Sequence, residues 1–92
     1  MVNYIYDVIK IKAGEENIIN ATLSDGDGNS ITTNCSFYIF SDGEELLKVD
    51  GEFINNEWCF VLPALNLEGK YWYCIKHGDN SVSFNKPIYS ER

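Results

Sequence analysis

The stretch TTNCSFYIFS, residues 32–41, decides how the rest of the chain is read. Cys35, Phe37 and Ile39 alternate with Tyr38 and Phe40. A period of two is the repeat of a β-strand, whose successive side chains point to opposite faces; a helix would repeat every 3.6 residues. Asp42-Gly43 follows at once and closes the segment with a pair suited to a tight turn.

The same alternation recurs on both sides of this stretch. Residues 2–12 read as a first strand in which Ile9 and Ile11 alternate with Lys10 and Lys12, and AGEEN breaks it. Residues 17–24 put Ile19, Ala21 and Leu23 on one face. EELLKV and EFI are short segments closed by Asp50-Gly51 and Asn55-Asn56. EWCFVLP turns Trp58, Phe60 and Leu62 inward against Cys59 and Val61 until Pro63, which lacks a ladder donor, ends it. KYWYCIK and SVSFNKPIYS are the last two, separated by HGDN, and Pro87 predicts that the final strand lies at an edge or a bulge. No segment sustains a helical period. Seven or eight strands with turns every 8 to 12 residues predict two antiparallel sheets packed face to face in one domain, residues 1–92, with Phe37, Trp58, Phe60 and Phe84 in the core.

DGDGN, residues 25–29, has the oxygen spacing that begins a calcium loop, but the glycine and the bidentate glutamate such a loop needs fall on Ser30 and Ser36. A glycine-rich hairpin turn is the expectation there, with no metal and no cofactor. The charge balance is 14 acidic to 7 basic residues, net −7, which opposes nucleic acid and anionic membranes as partners. No apolar run approaches the roughly 18 residues of a membrane span, and the first residues lack the pattern of a signal peptide. Cys35, Cys59 and Cys74 are expected as free thiols, and His77 is the one histidine. Without a nucleophile, a base and a group to orient the base, and with Glu15-Glu16 and Glu44-Glu45 pointing to opposite faces of a strand, neither enzymatic activity nor a small-molecule substrate is expected.

LNLEGKYWYC, residues 65–74, is the most informative decapeptide. It is similar to the corner before the sixth strand of immunoglobulin-like sandwiches, which implies Gly69 as the turn, Tyr71 as the corner tyrosine bonded back to the loop, and Tyr73 where antibody domains carry their second cysteine. Cys74 is out of phase with that position, and Trp58 lies on the strand before the corner instead of the third strand. The fold expected is therefore an all-β, immunoglobulin-like antiparallel β-sandwich of about seven strands.

Over about residues 15–90, the order of the Asp-Gly turns, the apolar third strand and the strand carrying Gly69, Tyr71 and Tyr73 resembles the immunoglobulin-like domains of tailed-phage virion proteins, including the amino-terminal domain of baseplate upper proteins. That resemblance implies a non-enzymatic bacteriophage structural protein. The expectation is an auxiliary or decoration protein bound to the capsid shell, with the major capsid protein or another virion protein as partner, assembled in the host cytoplasm and not secreted. Candidate contacts are Val2, Tyr4, Ile5 and Tyr6 of an amino-terminal arm, residues 1–6, or an edge strand. The alternatives are a baseplate or tail component, a carbohydrate-binding module using Trp72 or Tyr38 as stacking platforms, and an intracellular inhibitor or adaptor.

Overall fold

A computed structural model describes residues 9–24, 26–81 and 86–92. Its strands are β1 (Ile9–Lys12), β2 (Asn17–Ala21), β3 (Cys35–Ser41), β4 (Glu44–Asp50), β5 (Glu52–Ile54), β6 (Glu57–Leu62), β7 (Gly69–His77), β8 (Asn80–Ser81) and β9 (Lys86–Glu91). Two sheets form. The larger runs β1-β9-β7-β3-β4, with β8 paired to the end of β7, and the smaller runs β2-β6-β5.

Turn chemistry fixes two of the hairpins. Asp42 and Gly43 have φ of 50° and 81°, and Asn55 and Asn56 have 52° and 63°. Positive φ at both central residues is the type I′ geometry, whose twist matches that of the strands it joins, and Asp, Asn and Gly tolerate it best. Ser41 is thereby set opposite Glu44, and Ile54 opposite Glu57. Around the glycine-rich loop, Ser24 bridges Ser30, the Ile31 amide donates to the Leu23 carbonyl at 2.9 Å, and Gly28 has φ of 84°.

Consecutive β4 and β5 belong to different sheets, and Gly51 is where the chain crosses. Its amide donates to the Cys35 carbonyl at 2.9 Å. A Cβ at this position would lie 2.5 Å from a Phe60 ring carbon and 2.8 Å from a Trp58 ring carbon, so only glycine lets the backbone pass this close to the core.

The core lies between the two inner faces. Phe37 and Tyr73 of the large sheet stack at 5.2 Å, and Phe60 of the small sheet meets Phe37 at 5.6 Å with its ring tilted. Trp58 stacks on Phe60 at 6.1 Å and donates its indole N–H to the Ile31 carbonyl at 2.6 Å, which ties the β2–β3 loop to the core. Ile9, Ile19, Ala21, Ile39, Leu62, Ile75 and Ile88 pack around them, and Ile11, Leu23, Ile31 and Cys35 belong to the same cluster. Along β1, β3 and β6 the core residues alternate with more exposed neighbours, as the period of two requires, whereas in β7 Tyr73, Cys74 and Ile75 are all buried.

Two features depart from the sequence reading. One pairing is parallel: β1 lies beside β9 with Ile9 opposite Ile88 and Lys12 opposite Glu91, because the β1–β2 turn folds the chain from one sheet to the other. β9 is interior, flanked by β7 and β1, so Pro87 marks no edge; it is the second residue of the strand, one position before the described β1 pairing begins. The β1–β2 break is held by Asn17, whose side chain accepts from the Lys12 amide at 3.1 Å and donates to the Lys12 and Glu15 carbonyls at 3.0 and 2.9 Å. Val2, Tyr4, Ile5 and Tyr6 of the expected arm, the start of the first predicted strand, Asp25 and Phe84 lie outside the described residues.

Candidate functional site: the outer face of the large sheet

Strand register assembles this surface from residues far apart in sequence. Outward from the core, β7 presents Lys70, Trp72, Cys74 and Lys76, and β3 presents Ser36, Tyr38 and Phe40. The pairing sets Phe40 beside Trp72, Tyr38 beside Cys74 and Ser36 beside Lys76. On one flank β4 adds Lys48 beside Tyr38, Asp50 beside Ser36 and Glu45 beside Phe40. On the other flank β9 adds Tyr89 beside Lys70, and β1 adds Lys10 beside Tyr89.

The centre of the face is aromatic. Tyr38 and Phe40 stack at 6.0 Å with rings 11° from parallel, and Trp72 remains 40% exposed. Ammonium groups lie over these rings: Lys76 Nζ is 4.8 Å and Lys48 Nζ 5.9 Å from the centre of Tyr38, and Lys70 Nζ is 4.6 Å from the centre of Trp72. Each is within the range in which a ring quadrupole attracts a cation. Cys74, beneath this layer, is buried despite its outward direction. Burial pushes its thiol above the ordinary value, an effect that nearby Lys76 opposes and Glu45 reinforces. Lys10, Lys12, Lys48, Lys70 and Lys76, five of the chain's seven basic residues, point out from this one sheet.

The positions singled out from sequence fall in two places. Gly69 opens β7 with φ of 110°, the Tyr71 hydroxyl donates to the Glu68 carbonyl at 3.1 Å, and Tyr73 is fully buried against Phe37. These are the parts of a corner that holds β7 against the loop before it. Ser90 braces the same loop by donating its hydroxyl to the Leu67 carbonyl. Trp72 and Tyr38, named as alternative platforms, belong to the outer face, on neighbouring strands. Sequence reasoning missed their convergence with Phe40 and the lysines. The outward parity of each was readable, but which strand lies beside which was not.

Among the described residues the three cysteines are free, with Cys35 and Cys74 buried and Cys59 partly exposed on the small sheet. Burial pushes the Cys35 thiol up to about 11. Such a thiol stays protonated at neutral pH and is a poor nucleophile. Among the described residues no three His, Cys, Asp or Glu side chains cluster as metal ligands.

No family model matches the chain, and no curated protein does. Among solved structures it is similar to the crystal structure of the Lin-41 filamin domain, with a TM-score of 0.67 at 20% identity, over 90% of this chain and 83% of that one. The fold is immunoglobulin-like. At that identity the likeness extends to the backbone arrangement alone, and immunoglobulin-like domains host many unrelated functions. Function has to be argued from the surface this chain builds on it.

Proposed function

We propose that the protein is a non-enzymatic structural part of a tailed-phage virion, an auxiliary protein that docks on the capsid shell through the outer face of its large sheet. The aromatic and lysine cluster centred on Tyr38, Phe40 and Trp72 is the observation that carries the docking. Trp72 is exposed and Tyr38 and Phe40 are half-buried on the face turned away from the core, so none of the three belongs to the packing between the sheets. Interfaces favour large side chains of few rotamers at their centres, because these bury much area for little lost entropy. A preformed sandwich also orders little more on binding, so most of the contact energy is kept. The virion assignment rests on the order of turns and strands around Gly69, Tyr71 and Tyr73.

Quantitative mass spectrometry of purified particles tests the assignment. Hundreds of copies per particle, in fixed ratio to the major shell protein, support it. A handful of copies moves the protein to the baseplate or tail, and absence from particles removes the virion reading. Particles assembled with Trp72→Ala should carry fewer copies although the variant folds normally.

A further inference from the structure

We infer that the outer face of the large sheet reads carboxylates, and that the surface it docks on is an acidic protein segment. The inference rests on the docking proposed for this face but not on the virion assignment. A sugar platform needs a bare ring face against which the C–H groups of the sugar can stack. Here Lys76 and Lys48 lie over Tyr38, and Lys70 lies over Trp72. A sugar would have to displace these cations. An acidic side chain would meet ammonium groups already held in position by the aromatic floor, so less side-chain entropy is lost when the ion pairs form.

The charge distribution separates an acidic segment from a nucleic acid. The chain carries net −7, yet five of its seven basic residues leave from this sheet. Of the carboxylates facing the same way, Asp50 accepts a hydrogen bond from the Ser36 hydroxyl at 2.8 Å, and Glu45 and Glu91 stand on the flanking strands. The positive patch is therefore local and rimmed by negative charge. Screening at physiological salt reduces interactions beyond about 8 Å, so a short acidic segment feels mainly the patch. A long polyphosphate would overrun it and meet the acidic remainder of the surface.

The test uses three probes on the intact chain: an oligoglutamate peptide of roughly a dozen residues, an oligothymidylate of matched charge, and maltoheptaose, each followed by amide chemical shifts and by Trp72 fluorescence. Oligoglutamate should perturb residues 36–40, 46–49 and 70–76, and its binding should weaken by about tenfold between low and physiological salt. The combined variant Lys48→Gln, Lys70→Gln, Lys76→Gln should lose these shifts while its remaining spectrum stays unchanged; Lys86→Gln, at the start of β9 and not among those five lysines, serves as control. The inference is overturned by tighter binding of oligothymidylate, by maltoheptaose binding at the rings, by shifts elsewhere on the molecule, or by no binding at all. Oligoglutamate binding by a protein absent from particles would retain this inference and remove the virion assignment.

Discussion

The two sheets do the same work on their inner faces and different work on their outer ones. Inside, Phe37 and Tyr73 from one sheet and Phe60 and Trp58 from the other are equivalent in chemistry, and all are buried. Outside, the small sheet exposes Ile18, Val61, Ile54 and Glu52 and turns the half-buried Asn20 and Glu57 the same way, an aliphatic and acidic surface without a lysine. The large sheet exposes Trp72 beside Phe40 and Tyr38, crossed by lysines. Exposed aliphatic residues are ordinary on a folded surface. Aromatic rings paired with cations across three adjacent strands are not required by the fold, and the difference between the two outer faces is what the docking proposal rests on.

The inner faces should dominate stability. Phe60→Ala empties the centre of the aromatic stack and is expected to cost about 3–5 kcal/mol, a large share of the stability of so small a domain. Urea denaturation followed by circular dichroism measures it. A loss under ~1 kcal/mol would mean that the two inner faces do not meet as described.

Gly51 tests the crossing between the sheets. Its missing Cβ leaves room for Phe60 and Trp58, and both rings would have to move for Gly51→Ala. Overpacking of this kind costs about 1–3 kcal/mol. Gly43→Ala, where nothing lies within 4 Å of the added carbon, removes the clash and keeps only the strain of positive φ at the turn. The Gly51 variant should be the less stable of the two, and the reverse order would relocate the crossing.

A smaller effect belongs to the corner. Tyr71→Phe keeps the ring and removes the hydroxyl that donates to the Glu68 carbonyl, a bond on the exposed side of the loop. The expected cost is roughly 0.5–1.5 kcal/mol, with faster amide exchange confined to residues 65–71. An unchanged exchange pattern would show that Ser90 holds this loop by itself.

How much of this was legible before the fold was known depends on the range of the interaction. Alternation along TTNCSFYIFS and EWCFVLP settled which side chains face the core, because a strand's period acts between neighbours in sequence. The Asp42-Gly43 and Asn55-Asn56 turns were legible for the same reason: φ preference belongs to the residue itself. The place of β9 was not. Pro87 suggested an edge, whereas β1 returns in parallel to cover that strand, and such a pairing is decided by how the sheets close and not by any local motif. The outer site failed for the same cause. Trp72 stood between two tyrosines destined for the core and the corner, and nothing adjacent in sequence shows that Phe40 and Tyr38 lie beside it.

The smallest effect on stability separates the two outer faces most directly. Trp72→Ala and Val61→Ala each truncate an exposed side chain at the centre of a sheet, at 40% and 43% exposure. Each should change unfolding free energy by no more than about 0.5–1 kcal/mol, since neither leaves a cavity in the core. Their effects on docking should diverge. Removing Trp72 takes the ring from under Lys70 and the neighbour from Phe40, so attachment to particles and binding of oligoglutamate should both weaken, whereas Val61→Ala should leave both unchanged. If the two variants weaken attachment equally, the distinction between the faces has no functional content, and the aliphatic surface around Ile18 and Val61 must be counted in the interface. If only Val61→Ala matters, the partner sits on the small sheet, and the lysines over Tyr38 and Trp72 serve solubility, as surface charge commonly does.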